Sequence, residues 1–135
     1  MKKVMCFGTF DGVHKGHEYY LREAKKLGDF LVVVVALDET VKQTKKKEPR
    51  YPVDERIRQL QKLGFIDNVI RGNHGDKLRV VADEKPGIIC LGYDQTFFTE
   101  NIKEKLQQRG LNPKIIRMGA YRPEVYKSSK PKVSG

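Results

Sequence analysis

Alternation of short apolar runs with amphipathic segments is the feature that most constrains the fold of this chain. Residues 30–37 contain four consecutive valines, which is typical of a strand buried on both faces. Other segments place apolar residues three or four positions apart, as in Tyr20, Ala24 and Leu27, and this spacing predicts helices. Strands are predicted at residues 4–7, 30–37, 68–71, 88–91 and 114–118, and helices at 17–27, 54–63, 76–84 and 101–109.

A repeated strand–helix order requires parallel strands joined by right-handed crossovers. We therefore predict an α/β fold: a three-layer, doubly wound sheet of five parallel strands, in one domain spanning residues 1–135. A chain of 135 residues can bury such a core without help from disulfides or metal. The polar residues 38–52 are predicted to form a long loop with at most one helical turn at its start, and residues 119–135 an irregular tail.

The predicted sheet also indicates where a ligand binds. In doubly wound sheets, ligands bind beyond the carboxyl ends of the strands, where the strand order reverses. Residues 8–17, 38–47 and 92–95 follow predicted strands, and they are among the least apolar parts of the chain. We expect the functional residues in these segments and in whatever part of the tail reaches them.

The charge balance narrows the class of ligand. Lysine and arginine number 27 against 17 acidic residues, so the formal net charge is +10. This excess favours anionic partners: nucleotides, phosphorylated metabolites, nucleic acid or an acidic membrane surface. The absence of a basic stripe interleaved with aromatic residues argues against a nucleic-acid-binding module. No apolar stretch approaches the roughly 20 residues of a membrane helix, and no secretory signal is evident, so a cytoplasmic protein is expected.

The two cysteines, Cys6 and Cys90, lie inside apolar runs and have no zinc-site spacing. We predict two buried, reduced thiols. A redox role or a disulfide between strands is the alternative.

Residues 8–17, Gly-Thr-Phe-Asp-Gly-Val-His-Lys-Gly-His, carry the strongest functional signal. Glycines permit a tight turn from strand to helix, and the free N–H groups at a helix N-terminus attract anions. His14 and His17 are placed to donate hydrogen bonds to the oxygens of one phosphate group. Two alternatives stay open at this point: structural histidines, or a metal site with Asp11 as a third ligand. The segment is neither a P-loop nor the dinucleotide-binding G-x-G-x-x-G motif.

Gly-Thr-Phe-Asp followed by His-x-Gly-His resembles the signature of the cytidylyltransferase-like nucleotidyltransferases. The resemblance spans nearly the whole chain and implies a Rossmann-like nucleotidyltransferase fold. Two groups are most similar: the archaeal-type FAD synthetases, which transfer AMP from ATP to FMN, and the glycerol-3-phosphate cytidylyltransferases, which use CTP. Residues 92–95, Gly-Tyr-Asp-Gln, favour the first group.

The resemblance implies roles for further residues. His14 and His17 would contact the α-phosphate, and Lys45 or Lys46 the triphosphate. Arg56 would contact phosphate, although Asp54 and Glu55 beside it already suit an ordinary helix N-terminus, which is a complete structural account of the segment. The remaining nucleotide-binding residues implied are Gly8, Thr9, Phe10 and Gly16 in the first loop, Gly92, Asp94 and Gln95 after the fourth strand, and Ser128, Ser129 and Lys130 in the tail.

The implied reaction needs no side-chain nucleophile. Mg²⁺ would bridge the phosphates and keep several waters, so no metal ligands are assigned to the protein. Tyr93, Phe97 and Phe98 would suit a flavin pocket, but equally a core or a dimer contact. A homodimer is implied by the resemblance alone. An inactive relative that binds nucleotide for regulation is a further alternative, because the tail is short and Pro131 follows the Ser-Ser-Lys motif directly.

Overall fold

A computed structural model of the chain describes residues 2–92 and 101–118. The strands in these ranges are β1 (Lys3–Gly8), β2 (Phe30–Val35), β3 (Asn68–Arg71), β4 (Ile88–Leu91) and β5 (Lys114–Arg117). The helices are α1 (Lys15–Lys25), α2 (Asp38–Lys45), α3 (Val53–Gln61), α4 (Arg79–Glu84) and α5 (Ile102–Gln108).

All five strands pair in parallel in the order β3-β2-β1-β4-β5. The most apolar strand, β2, pairs with the whole of β1, from Lys3 opposite Phe30 to Gly8 opposite Val35. The order reverses between β1 and β4, so the switch point lies at the carboxyl ends of these two strands. The predicted parallel α/β sheet is therefore confirmed.

Helices cover both faces of the sheet. On one face, Leu21 and Ala24 of α1 and Leu60 of α3 are fully buried against β1, β2 and β4. On the other face, Val81 of α4 and Leu106 of α5 are fully buried. Alternate residues of each central strand point to opposite faces, which gives the three-layer arrangement that the sequence predicts.

Helix α2 corrects the sequence prediction of a long loop over residues 38–52. Only two of the described side chains of this helix, the consecutive Thr40 and Val41, are buried. The others are exposed or half-buried. A short helix with a single buried turn shows no apolar period, so the pattern could not reveal it. As a result, Lys45 is the last residue of a helix and Lys46 is its left-handed C-cap, with φ of 62°.

Both cysteines are buried and free, as predicted, and they are neighbours in the sheet, Cys6 on β1 opposite Cys90 on β4. Burial raises the pKa of the Cys6 thiol, which keeps it protonated and poorly reactive. None of the described helices is long and apolar enough to span a membrane.

Candidate active site

The two motif histidines meet at the N-terminus of α1, beside the switch point of the sheet. His14 is the N-cap of the helix, and its Nδ1 accepts a hydrogen bond from the Gly16 N–H at 3.1 Å. His17 Nδ1 accepts from the His14 N–H at 3.3 Å. The imidazole rings stack with their centroids 3.7 Å apart. The His-x-Gly-His segment thus forms a reciprocal helix cap in which both capping side chains are imidazoles. Helix α1 begins at Lys15, two residues earlier than predicted.

This cap decides where the imidazole protons lie. Because Nδ1 of each ring accepts a backbone N–H, a neutral His14 or His17 carries its proton on Nε2. Each ring therefore has an Nε2–H donor on the side away from the cap. These two side-chain donors, at the positive end of the helix dipole, suit an anionic ligand.

The loop before the cap is shaped by steric crowding. Phe10 is 2% exposed and has a positive φ of 54°, which is uncommon for a bulky residue. Its ring packs edge-on against His17, and a Cβ at Gly8 would lie only 2.6 Å from that ring. Gly12 has φ of 90°, and a Cβ there would lie 2.5 Å from the Arg50 guanidinium. Glycine at positions 8 and 12 is therefore required by the loop itself.

Arg56 occupies a different position from the phosphate contact that the resemblance implies. Its side chain is 0% exposed, and all three guanidinium nitrogens have partners in the protein. Nη1 donates to the Thr9 carbonyl at 2.8 Å, Nε to the Tyr51 carbonyl at 2.9 Å, and Nη2 to Asp38 Oδ1 at 2.6 Å. This arrangement corrects the expectation: Arg56 ties the loop after β1 to the first turn of α2 and to the segment before α3.

Asp11 makes a second tie between the same segments. Its carboxylate accepts the backbone N–H of Arg50 at 2.7 Å and of Tyr51 at 2.9 Å. Burial by itself would raise the pKa of Asp11, but these two N–H groups and the charges of Arg56 and Arg50 outweigh it and lower the pKa overall. Asp11 is therefore committed to the loop, and the described residues contain no cluster of three or more His, Cys, Asp or Glu suited to a metal ion.

Of the other expected site residues, the structure describes Lys45, Lys46 and Gly92. Lys45 and Lys46 are exposed at the end of α2. Gly92 follows β4, and its carbonyl accepts a hydrogen bond from Arg117 Nη1 at 2.8 Å. Asp94, Gln95, Ser128, Ser129 and Lys130 lie outside the described residues, as do Tyr93, Phe97 and Phe98.

Sequence reasoning missed Tyr20 as a residue that supports the site. Its hydroxyl donates to the Cys90 carbonyl at 2.9 Å and lies 3.4 Å from the Phe7 carbonyl, so it links the ends of β4 and β1. Burial raises its pKa well above the usual value for tyrosine, which keeps the donor proton in place. In the sequence, Tyr20 looks like an ordinary apolar position of α1, and no signal there reveals its hydroxyl contacts.

Comparison with known proteins places this chain in a family. Residues 5–132 match the cytidylyltransferase-like family. The chain belongs to this family. The FAD synthase of Thermoplasma acidophilum is 43% identical over 129 residues, which cover 96% of this chain and 90% of that protein. The FAD synthase of Pyrococcus horikoshii is 41% identical over 133 residues, covering 98% of this chain and 87% of that protein.

A solved structure of the same fold is also similar. The crystal structure of a lipopolysaccharide core biosynthesis protein from Thermoplasma volcanium matches with a TM-score of 0.85 and 42% identity. The match covers 90% of this chain and 99% of that one. The family resemblance suggested by the Gly-Thr-Phe-Asp and His-x-Gly-His residues is therefore confirmed over nearly the whole chain.

Replacing Arg56 with lysine should weaken the hydrogen bonds that hold the loop after β1 against α2 and against the segment before α3. The lysine ammonium cannot reproduce the planar, forked arrangement of guanidinium donors. At least one of the three present partners, Thr9, Asp38 or Tyr51, therefore loses a charged hydrogen bond. We expect Arg56→Lys to lower the free energy of unfolding by about 1–3 kcal/mol in urea titrations. Arg58→Lys, on the exposed side of the same helix, should change it by less than about 0.5 kcal/mol. Equal stability of the two variants would contradict the role given to Arg56.

Asp11 should contribute stability that depends on pH. Its pKa is lower in the folded than in the unfolded protein, so its contribution is complete above the unfolded pKa of about 3.9 and is lost as pH falls through the folded pKa. Asp11→Asn should therefore cost about 1 kcal/mol or more at pH 7 and progressively less below pH 4, measured by urea unfolding. Asp83→Asn, at an exposed carboxylate, is the control. A pH-independent cost of Asp11→Asn would contradict this assignment.

Proposed function

We propose that this chain is an FMN adenylyltransferase, which transfers AMP from ATP to FMN and so produces FAD and pyrophosphate. The observation that carries the proposal is the capped His14–His17 pair at the switch point of a chain 43% identical to a protein called FAD synthase. The net charge of +10 suits the four phosphate groups that the two substrates bring together.

The proposed reaction is an in-line displacement at phosphorus. A phosphate oxygen of FMN attacks the α-phosphorus of ATP and forms the new P–O bond. The bond from the α-phosphorus to the oxygen bridging to the β-phosphorus breaks, and pyrophosphate leaves with that electron pair. Such a reaction needs no protein nucleophile, so positioning and electrostatic stabilisation account for catalysis.

The histidine donors are the proposed catalytic groups. Nε2–H of His14 and His17 would donate to α-phosphate and bridging oxygens as negative charge develops there. The exposed ammonium groups of Lys45 and Lys46 at the end of α2 would follow the departing pyrophosphate. In the same proposal, Gly16 lets the ligand approach the helix end closely, and Gly8, Thr9 and Phe10 shape the loop that faces the nucleotide.

The remaining residue assignments rest on the family resemblance. Ser128, Ser129 and Lys130 would hold the β- and γ-phosphates, and Gly92, Asp94 and Gln95 would lie beside the nucleotide and acceptor. Cytoplasmic location and homodimer formation belong to the proposal on the same basis. Light scattering of the purified protein measures the oligomeric state directly.

Mg²⁺ is proposed as an ion that arrives with the triphosphate. Mg²⁺ usually keeps several waters and binds through substrate phosphates, so the proposal assigns it no dedicated set of protein ligands. When bound, the ion would neutralise part of the phosphate charge.

A small substrate matrix tests the proposed function. ATP and CTP are each paired with FMN and with glycerol 3-phosphate, with Mg²⁺ or with excess EDTA, and pyrophosphate and FAD are measured. We expect pyrophosphate only with ATP, FMN and Mg²⁺, in equal amount to the FAD separated by chromatography. Product only with CTP and glycerol 3-phosphate would make the protein a cytidylyltransferase. ATP binding without any product would favour a relative that only binds nucleotide.

His17→Ala should reduce kcat for FAD formation by about 10²–10³-fold, the loss typical of one preorganised donor to a developing charge. The control is His74→Ala, which removes an exposed imidazole whose contact is with Glu39 on the surface. It should leave kcat at saturating substrate within about twofold. A loss of tenfold or less in His17→Ala, with the fold intact by circular dichroism, would contradict the catalytic role.

A further inference from the structure

Strands β1 and β4 stop pairing with each other before either strand ends. Their last paired residues are Cys6 and Cys90. Beyond this pair, β1 continues beside β2 as far as Gly8, and β4 continues beside β5 as far as Leu91. The two central strands therefore part at their carboxyl ends, where the strand order reverses and where doubly wound sheets bind their ligands. The backbone ladder does not fix the width of this crevice beyond its last pair.

The Tyr20 hydroxyl bridges the two strands at the point where they part. It donates at 2.9 Å to the carbonyl of Cys90, the last residue of β4 that pairs with β1. It also lies 3.4 Å from the carbonyl of Phe7, one residue beyond the last paired position of β1. The aromatic ring packs against the buried core on the α1 face of the sheet. The hydroxyl is thus a side-chain link between α1, β1 and β4 at the base of the crevice.

Tyr20 also anchors the part of α1 that carries the histidine cap. His17 and Tyr20 are three residues apart, so they are neighbours on one side of the helix. Residues 15–20 are exposed or half-buried, and complete burial of α1 begins only at Leu21. The first turn is therefore held by specific contacts rather than by extensive apolar burial. Two of these contacts are the packing of the Phe10 ring against His17 and the hydrogen bond of Tyr20 to the strand end.

We propose that Tyr20 is a positioning residue for adenylyl transfer, whose hydroxyl sets the position of the His17 imidazole relative to the crevice between β1 and β4. The Nε2–H of His17 would act on a charge that develops only in the transition state. An error of about 1 Å in its position therefore costs turnover more than substrate binding. This inference rests on the proposed function and adds to it a residue that acts through His17 rather than on the substrate.

Tyr20→Phe tests the proposal because it removes the hydroxyl and keeps the ring in the core. We expect kcat for FAD formation to fall about 10–100-fold, while the KM values for ATP and FMN stay within about threefold. The melting temperature should fall by about 2–6 °C, because the hydrogen bond to the Cys90 carbonyl is lost. An unchanged kcat in the folded variant would overturn the inference.

Asp67→Ala is the matched control for a loss of stability. The Asp67 carboxylate ties the other end of α1 to the sheet, since it accepts hydrogen bonds from Lys25 Nζ and, at 2.7 Å, from the Leu31 N–H. Its removal should lower the melting temperature by a similar amount but leave kcat within about twofold. If both variants lower kcat equally, the effect of Tyr20→Phe comes from stability alone, and the positioning role is wrong.

A double-mutant cycle shows whether Tyr20 acts through His17. In a protein that already carries His17→Ala, the imidazole that Tyr20 positions is absent. Tyr20→Phe should then lower kcat by less than about twofold further. A further loss as large as in the unchanged protein would mean that the two residues act independently, which contradicts the inference.

Restoring a donor at the same place tests the hydroxyl itself. A 4-aminophenylalanine at position 20 keeps the ring and presents an N–H to the Cys90 carbonyl. The kcat of this variant should return to within about fivefold of the unchanged protein. A kcat as low as that of Tyr20→Phe would show that the donor is not what matters. If Tyr20→Phe does not fold, a kcat of the amino variant more than about tenfold below the unchanged protein has the same meaning.

Hydrogen exchange separates failure of this inference from failure of the proposed function, because it needs no turnover. The Gly16 amide donates to His14 Nδ1, so its exchange rate, measured by NMR, reports the histidine cap. Tyr20→Phe should raise this rate at least about threefold, and Asp67→Ala should not. Faster exchange in a protein that makes no FAD would leave the link between Tyr20 and the cap standing while the proposed function fails. Unchanged exchange with unchanged kcat would overturn the inference alone, and unchanged exchange in a protein that makes no FAD would overturn both.

Discussion

The buried guanidinium of Arg56 is the interaction on which the arrangement of the site depends. A fully buried cation is unfavourable unless charge and hydrogen bonds compensate it, and here Asp38 supplies the charge while two carbonyls supply further acceptors. These partners belong to three segments: the loop after β1, the first turn of α2 and the residues just before α3. Because Thr9 belongs to the loop that leads to His14 and His17, fixing its carbonyl also fixes the position from which the histidine cap begins.

The loop held by Arg56 would not be stable by its own backbone preferences. Phe10 adopts a left-handed conformation, which a bulky residue keeps only when its surroundings impose it. Here the surroundings are the hydrogen bonds of Arg56 and Asp11 and the space left by two glycines. The helix cap turns both Nδ1 atoms toward the backbone, so the orientation of the Nε2 donors follows from the fold rather than from the histidines alone.

Much of this could be predicted from the sequence, because the strands and most helices bury several residues at a regular period. Helix α2 could not, since it buries only Thr40 and Val41. For Arg56, the family resemblance implies a phosphate contact, whereas the structure gives its guanidinium three partners inside the protein. Its spacing held a contrary signal: it lies four residues before the buried Leu60, on the same stripe of α3. The contacts of Tyr20 arise only when distant segments meet, so no local pattern reports them.

Gly8 ends β1 directly before the loop that leads to the histidine cap. A Cβ at this position would lie 2.6 Å from the Phe10 ring, which packs edge-on against His17. A side chain at position 8 would therefore displace that ring and remove the packing that supports the His17 imidazole. The lack of a side chain at the end of the central strand is thus part of what places the histidine cap at the switch point of the sheet.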